Sequence, residues 1–210
     1  MELVTTDGVF ALDGGEWEVT NNVWLVGDER EVLVVDAAHD AGRITEAIAG
    51  RHVRAIALTH GHNDHINAAG ALQDIVDAPI LLHPADHMLW AAVYADLEPD
   101  RDLAEGDRLR AGGVELGVLH TPGHSPGCCC LLAPGAAADG GDVLFSGDTL
   151  FCGGPGATGR SYSDFPTIIE SIRARLLTLP PETLVHTGHG DSTTIGAEAP
   201  QLEEWVRRGH

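Results

Sequence analysis

At 210 residues the chain is long enough to bury a substantial core as one domain over residues 1–210, and its 43% hydrophobic content is that of a folded protein. Against 32 acidic residues stand 12 basic ones, all arginine; the formal charge of −20 repels polyanions and excludes nucleic acid and anionic membrane surfaces as partners. No apolar run approaches the roughly 20 residues of a bilayer span, and Met1-Glu2-Leu3-Val4-Thr5-Thr6-Asp7 has neither the basic region nor the apolar stretch of a signal peptide, so a cytoplasmic location is expected.

In chain order, alternating and apolar patterns predict strands near 8–12, 18–26 and 31–35, then a helix over about 41–49. The apolar run Ala55-Ile56-Ala57-Leu58 reads as a buried strand, followed by a helix over about 66–76, a short strand at 79–82 and a helix over 84–95 with proline at its start. Strands follow near 114–120, 128–132 and 143–145, with the Gly- and Ala-rich stretch 133–141 as a loose hairpin connection. A helix over about 165–179, a strand at 183–186 and a terminal helix from about residue 197 complete the pattern. Strands alternating with helices in both halves suit sheets covered by helices.

Thr59-His60-Gly61-His62-Asn63-Asp64-His65 packs three imidazoles and a carboxylate into one turn directly after a buried strand. His60 and His62, two apart, project to the same side of an extended backbone and can reach one cation. Asp64 and His65 are adjacent and cannot both follow them, which suits a second cation beside the first. The competing reading makes Asp64 the N-cap of the next helix, but capping does not account for four ligand types in six positions. Thr121-Pro122-Gly123-His124-Ser125-Pro126-Gly127 then offers His124 in a proline-stiffened turn. Ser146-Gly147-Asp148-Thr149 offers Asp148 after Val143-Leu144-Phe145, and His186-Thr187-Gly188-His189-Gly190 offers His189 after Thr183-Leu184-Val185.

The heptapeptide resembles the H-x-H-x-D-H signature of the metallo-β-lactamase superfamily, and the three later elements occur in the order that family uses. The resemblance implies an α/β fold, the αββα sandwich, with a dinuclear metal site at one edge. It places His60, His62 and His124 on the first metal and Asp64, His65 and His189 on the second, with Asp148 bridging both. Two divalent ions follow, zinc as the expected metal and iron or manganese as alternatives. A water between cations about 3.5–4 Å apart loses a proton near neutral pH and supplies hydroxide as nucleophile. One metal polarises the scissile carbonyl, while Asp64 orients the nucleophile and moves the proton.

Within the superfamily, Gly147-Asp148-Thr149-Leu150-Phe151, Leu179-Pro180-Pro181-Glu182-Thr183 and Gly188-His189-Gly190 resemble small glyoxalase II-like thioester hydrolases. Only 21 residues follow His189, so the C-terminal helical domain that helps hold glutathione in the full-length enzyme is expected to be lacking. The loop Gly156-Ala157-Thr158-Gly159-Arg160-Ser161-Tyr162 matches in Arg160 and Tyr162 the cation and tyrosine that meet the thiol carrier in that family; the plain reading is a solvated arginine and a packing tyrosine. A thioester of a weakly anionic carrier, such as a sugar-based thiol, is the expected small-molecule partner. The alternatives are a persulfide dioxygenase-like enzyme with one iron, a lactonase, or a metal-binding module without catalysis. Asp148 where a cysteine ligand would stand argues against the commonest zinc β-lactamases.

Asp36, at the end of Leu33-Val34-Val35, reads either as a hydrogen-bond acceptor behind the metal loop or as a turn residue. His120 and His186 either support the ligands or simply end strands, His83 and His87 flank a helix start, and His39, His52 and His210 are expected at the surface. Cys128, Cys129, Cys130 and Cys152 are expected to be reduced core residues, with Cys128 and Cys130 on one strand face and Cys129 on the other.

Overall fold

Five residues, Glu31 to Val35, set the plan of the molecule. Val32, Val34 and their neighbours pack against helices on one side of their strand, while Leu33 and Val35 pack against a second sheet on the other. A strand buried on both faces reads as a continuous apolar run, as this one does. The computed structural model describes residues 1–209, and the surface expectation for His210 lies outside them.

The described residues form two six-stranded sheets. The first runs in sequence order through β1 (Glu2–Leu12), β2 (Gly15–Gly27), β3 (Glu31–Val35), β4 (His52–Ala57), β5 (Ile80–Leu82) and β6 (Arg101–Asp102). The second comprises β7 (Arg108–Ala111), β8 (Val114–His120), β9 (Cys129–Ala133), β10 (Val143–Gly147), β13 (Leu184–Thr187) and β14 (Thr193–Thr194), in the order β14-β13-β10-β9-β8-β7. A small hairpin of β11 (Leu150–Phe151) and β12 (Gly154–Pro155) stands apart from both. Helices Ala41–Ile48, Ala69–Val76 and His87–Val93 cover the first sheet, and Phe165–Ser171 with Leu202–Arg208 covers the second. Three apolar layers result: helix on sheet, sheet on sheet, sheet on helix. This is the expected αββα sandwich.

The topology gathers strand ends at one edge. β3 to β6 run parallel, β10 pairs parallel with β13, and β8 runs with β10 because each is antiparallel to β9. The chain therefore leaves β3, β4, β8, β10 and β13 at carboxyl ends, and each exit carries one of the functional loops. Crevices beyond the carboxyl ends of strands are where open α/β sheets bind ligands.

Several elements differ from the sequence pattern. The first strand begins at Glu2, because residues 2–7 pair in register with β2 up to Glu2 opposite Leu25, and pairing needs no apolar signal. The helix expected over 66–76 is two helices, Asn63–Ile66 and Ala69–Val76. Ala68 donates its backbone N–H to Ala37 O at 3.0 Å, and the Asn67 side chain binds the His39 backbone, so the junction is committed elsewhere. The helix expected at 84–95 opens with a tight turn, Pro84–Asp86, in which the Ala85 N–H donates to His83 Nδ1 at 3.2 Å. That over 165–179 widens after Ser171 into a π-turn over Ile172–Leu176. β6 and β7, short and arginine-bearing, gave no strand signal. Of the cysteines, Cys128, Cys129 and Cys130 are buried, Cys129 between the sheets and Cys130 against the outer helices, but Cys152 is exposed, which corrects its core assignment. No helix among the described residues is long and apolar enough to cross a membrane.

Phe145 fills the layer between the sheets and meets the Trp24 ring edge-on at 5.9 Å. Phe145→Ala is expected to cost about 3–5 kcal/mol in urea unfolding, whereas Trp17→Ala, at a half-exposed ring outside all three layers, leaves the midpoint close to that of the parent. A Phe145→Ala loss below about 1 kcal/mol would show that the two sheets close over the void.

Candidate metal centre

The strand β4 delivers the chain into Leu58 and Thr59, where Asp36 takes hold of it. Asp36 has a left-handed backbone (φ 63°) that turns its carboxylate under the next loop. Its Oδ1 accepts the Thr59 backbone N–H at 2.7 Å and its Oδ2 accepts Thr59 Oγ1–H at 2.9 Å. The same Oδ2 stands 2.9 Å from His65 Nδ1. This settles Asp36 as a support of the loop rather than a simple turn residue: it fixes the His65 ring so that Nε2 points inward. Thr59 Oγ1, its hydrogen given to Asp36, lies 3.1 Å from His60 Nδ1 and accepts from it. Asp64 sits in the first turn of Asn63–Ile66, not at its cap; the cap position is His62.

A second carboxylate, Asp86, fastens the metal loop to the one bearing His124. Gly61 N–H and Ser125 Oγ–H both donate to Asp86 Oδ2, at 2.8 and 2.6 Å, and Gly127 N–H donates to Oδ1 at 2.6 Å. Burial holds the Asp86 carboxyl above the usual carboxylate range, against the opposing pull of these three donors. His124 Nδ1–H donates to Ala157 O at 2.7 Å, which turns Nε2 inward. His120 braces the same turn by donating from Nε2 to Pro126 O at 2.9 Å. Opposite, His189 Nδ1–H donates to Thr20 O at 2.8 Å, so its Nε2 also faces in. His186 instead stacks on Trp24 with ring centres 3.9 Å apart, the ordinary packing of a strand end.

Sequence reasoning passed over Asp86 and Asn21, both buried, since a lone Asp at a helix start and an Asn pair in a strand carry no metal-site motif. It also took His39 for a surface residue. The ring is half buried between Asn21 and Asn67, with a hydrogen bond to each, because the left-handed backbone at His39 (φ 59°) aims it inward. His52 is exposed, as expected.

Seven side chains thus converge in three overlapping sets, with ligand atoms in each set within 4.8 Å of one another: His60, His62, His124; His60, His65, Asp148; and Asp64, His65, His189. His60 Nε2 and His124 Nε2 each stand 3.0 Å from His62 Nδ1. With the proton of His60 and of His124 on the outer nitrogen, two lone pairs converge on His62 Nδ1, an arrangement that suits a cation. His65 Nε2 and His189 Nε2 stand 3.2 Å apart with Asp64 Oδ2 3.3 Å from the latter. Buried Asp64 Oδ1 has no hydrogen-bond partner among the described residues. The donor set of imidazole and carboxylate fits zinc, iron or manganese.

Protonation divides the cluster. Burial, reinforced by His65 and His62, holds His60 well below the usual imidazole range. Burial with His124 beside it holds His62 down to about 3. Burial opposes charge at His189 too, but Asp148 and Asp64 lift it to about 10, and Asp148, Asp64 and Asp36 likewise overcome burial at His65. In return His65 and His189 reverse the effect of burial on Asp148 and keep it well below the carboxylate range. His60 and His62 are neutral and ready for a cation, while at His65 and His189 a proton holds the place that a cation would take.

Above the cluster lies a cavity of about 290 Å³ walled by Phe10, Trp17, Phe151 and Arg160, with Asp64, His124, Asp148 and His189 at its floor. The Arg160 guanidinium lies 3.8 Å from the Trp17 ring centre and 5.7 Å from that of Phe10. Tyr162 is 55% exposed and is not part of this wall.

Asp86→Ala is expected to cost about 3–5 kcal/mol in urea unfolding, because it strands three buried donors. Asp86→Asn recovers little of this, since its amide nitrogen must face a donor that Asp86 accepted. An Asn variant as stable as the parent would remove the Asp86 charge from the account.

The model of the metallo-β-lactamase superfamily matches residues 17–189, a span that contains all seven convergent side chains. A protein of Aquifex aeolicus (strain VF5) is 37% identical over 190 residues, covering 84% of this chain and 88% of its own length. Hydroxyacylglutathione hydrolase GloC of Haemophilus influenzae is 33% identical over 186 residues, covering 81% of this chain and 85% of its own. The crystal structure of TTHA1623 in a di-iron-bound form has a TM-score of 0.75 at 35% identity, covering 86% of this chain and 93% of that one. The chain belongs to the metallo-β-lactamase superfamily.

Proposed function

We propose that the protein is a metal-dependent hydrolase that cleaves the thioester of a low-molecular-weight thiol. Two divalent cations, zinc foremost and iron or manganese otherwise, are assigned to His60, His62 and His124 and to Asp64, His65 and His189, with Asp148 between them. The observation that carries this reading is the overlap of the three ligand sets at the floor of one aromatic-walled cavity. Bound there, the cations would supply Lewis acidity and lower the pKa of a coordinated water. The similarity to GloC, a hydroxyacylglutathione hydrolase, favours a thioester among possible substrates.

The protein's own groups have separate tasks. No serine or cysteine is in the cavity wall described above, and burial raises the thiols of Cys128, Cys129 and Cys130, the last to about 11, which suits a water nucleophile rather than a covalent one. Asp64, with Oδ1 uncommitted, is placed to take the proton from water and pass it toward the leaving thiol. Phe10, Trp17 and Phe151 give the acyl or carrier group an apolar seat. Arg160, braced on Trp17, presents its N–H donors at the rim, and Tyr162 is a further carrier contact from the same loop. A weakly anionic carrier suffers less repulsion from a chain at −20 than a dicarboxylate does. Free, buried thiols fit a reducing, cytoplasmic setting.

Asp148→Ala is expected to abolish hydrolysis and lower metal content, while Asp64→Asn keeps the first cation and loses about 10²–10⁴ in kcat. Elemental analysis and thioester turnover on one preparation check both. Near-parental turnover in either variant removes that residue from the mechanism.

Arg160→Ala is expected to raise KM for the preferred thioester roughly tenfold or more with a smaller change in kcat, because a remote carrier contact binds ground state and transition state alike. A panel of thioesters, lactones and persulfides decides the class. Faster turnover of a lactone, or oxygen uptake with a persulfide, would overturn the thioester reading.

A further inference from the structure

Asn21, in β2, is a buried amide on the rim of the cluster, and its orientation follows from a chain of bonds that begins at a backbone N–H. The His39 backbone N–H, which can only donate, lies 2.6 Å from Asn67 Oδ1. That fixes which end of the Asn67 amide is oxygen, so its Nδ2 is the donor to His39 Nδ1 at 2.9 Å. His39 Nδ1 is therefore an acceptor and the ring proton sits on Nε2. Nε2–H in turn donates to Asn21 Oδ1 at 2.9 Å. Each bond leaves the next group one choice, and the last choice turns Asn21 Nδ2 toward the cluster, 3.1 Å from Asp64 Oδ2, 3.3 Å from His65 Nε2 and 3.4 Å from His189 Nε2.

From this geometry we infer that Asn21, aligned through His39 and Asn67, is a positioning residue for the cation site of Asp64, His65 and His189. Its N–H occupies Asp64 Oδ2 and leaves Oδ1, buried and otherwise unpartnered, as the free oxygen of that carboxylate. Flipped, Asn21 would turn a carbonyl oxygen toward the carboxylate, and repulsion between the two oxygens would swing Asp64 away. The relay is local to one side of the cluster. His60 and His124 have their own supports in Thr59 and Ala157, His62 packs on Phe10, and none of the three shares a bond with the relay. The inference rests on the two-cation reading proposed above, and it predicts that the two sites respond differently to the same substitution.

The test is a zinc titration of chelator-stripped protein against a competing chelator, which resolves two stepwise affinities. Ring ¹⁵N shifts of the labelled protein report which histidines bind at each step. Asn21→Ala and His39→Ala are expected to weaken zinc binding at His65 and His189 roughly 10- to 100-fold and to leave binding at His60, His62 and His124 unchanged. His39→Gln, whose amide donates from the place of Nε2–H, restores most of the affinity. In the metal-free parent, His39 carries its proton on Nε2. Equal losses at both sites, no loss at either, a Gln variant no better than Ala, or a His39 proton on Nδ1 would each overturn the inference. A parent that binds only one zinc in excess metal would instead overturn the two-cation reading, with the His39 tautomer still deciding whether the relay exists.

Discussion

Lone pairs brought together in a buried space repel, and the rest of the structure is arranged to hold them there. Four of the five histidines in the cluster are anchored by the nitrogen that faces away from it. Thr59 holds His60, Asp36 holds His65, Ala157 O holds His124 and Thr20 O holds His189. Each anchor fixes both the tautomer and the ring direction, so the inner nitrogens are set before any cation arrives. His62 is the exception. Its Nε2 has no hydrogen-bond partner among the described residues, and its ring is held by edge-on packing against Phe10 at 5.3 Å. The anchors lie in β2, beyond β3 and beyond β4 of the first sheet and beyond the β11–β12 hairpin, while His124, Asp148 and His189 follow strands of the second, so the site exists only when both sheets are in place.

Bringing the two sheets together at this edge demands that backbone approach side chain closely, and glycine permits it. At Gly147, in the left-handed region with φ 48°, a methyl would land on Thr59 Oγ1, the hydroxyl that supports His60. At Gly188 a methyl would land on the Asp148 carboxylate and crowd the His65 ring. Both glycines flank ligands contributed by the second sheet, and both press against the loop of the first. The Gly-Asp and Gly-His pairs, which alone read as ordinary turns, are therefore contact points between the halves of the sandwich.

The convergent side chains were legible because most of them are crowded into short loops after apolar strands, where spacing and residue type carry the signal. His60, His62, Asp64 and His65 fall within six residues, and His124, Asp148 and His189 each follow a strand that hydrophobicity reveals. What escaped makes its defining contacts far along the chain. Asp86 lies 25 residues from Gly61 and 41 from Gly127, and only the folded chain brings them together. Asn21 and His39 meet across 18 residues, in a relay made by a left-handed backbone that no pattern of hydrophobicity announces. The helix break after Asn67 has a similar long-range origin: Asn67 N–H still bonds Asn63 O, but Ala68 N–H turns to Ala37 O, 31 residues away, instead of continuing the helix. Cys152, expected in the core, sits at the turn of the β11–β12 hairpin, where no layer covers it.

The cavity wall shows how a strongly acidic chain can still meet an anionic group. Arg160 lies against Trp17 and Phe10, and its loop is tied to the tip of the first hairpin by the Ser161 backbone N–H, which donates to Asp13 Oδ2 at 2.9 Å. The aromatic faces hold the guanidinium by attraction to its charge without neutralising it, unlike the carboxylates that pair Arg51, Arg108 and Arg175 elsewhere. An ion pair at this position would satisfy the cation and remove it from recognition, whereas stacking fixes its direction and leaves N–H donors at the rim. Because the stacking partners stand on the β1–β2 hairpin and the cation on the loop beyond Asp148, movement of either changes the width of the cavity and the place of the charge together. Access to the cluster and recognition of what enters it are therefore functions of one contact between two excursions of the chain.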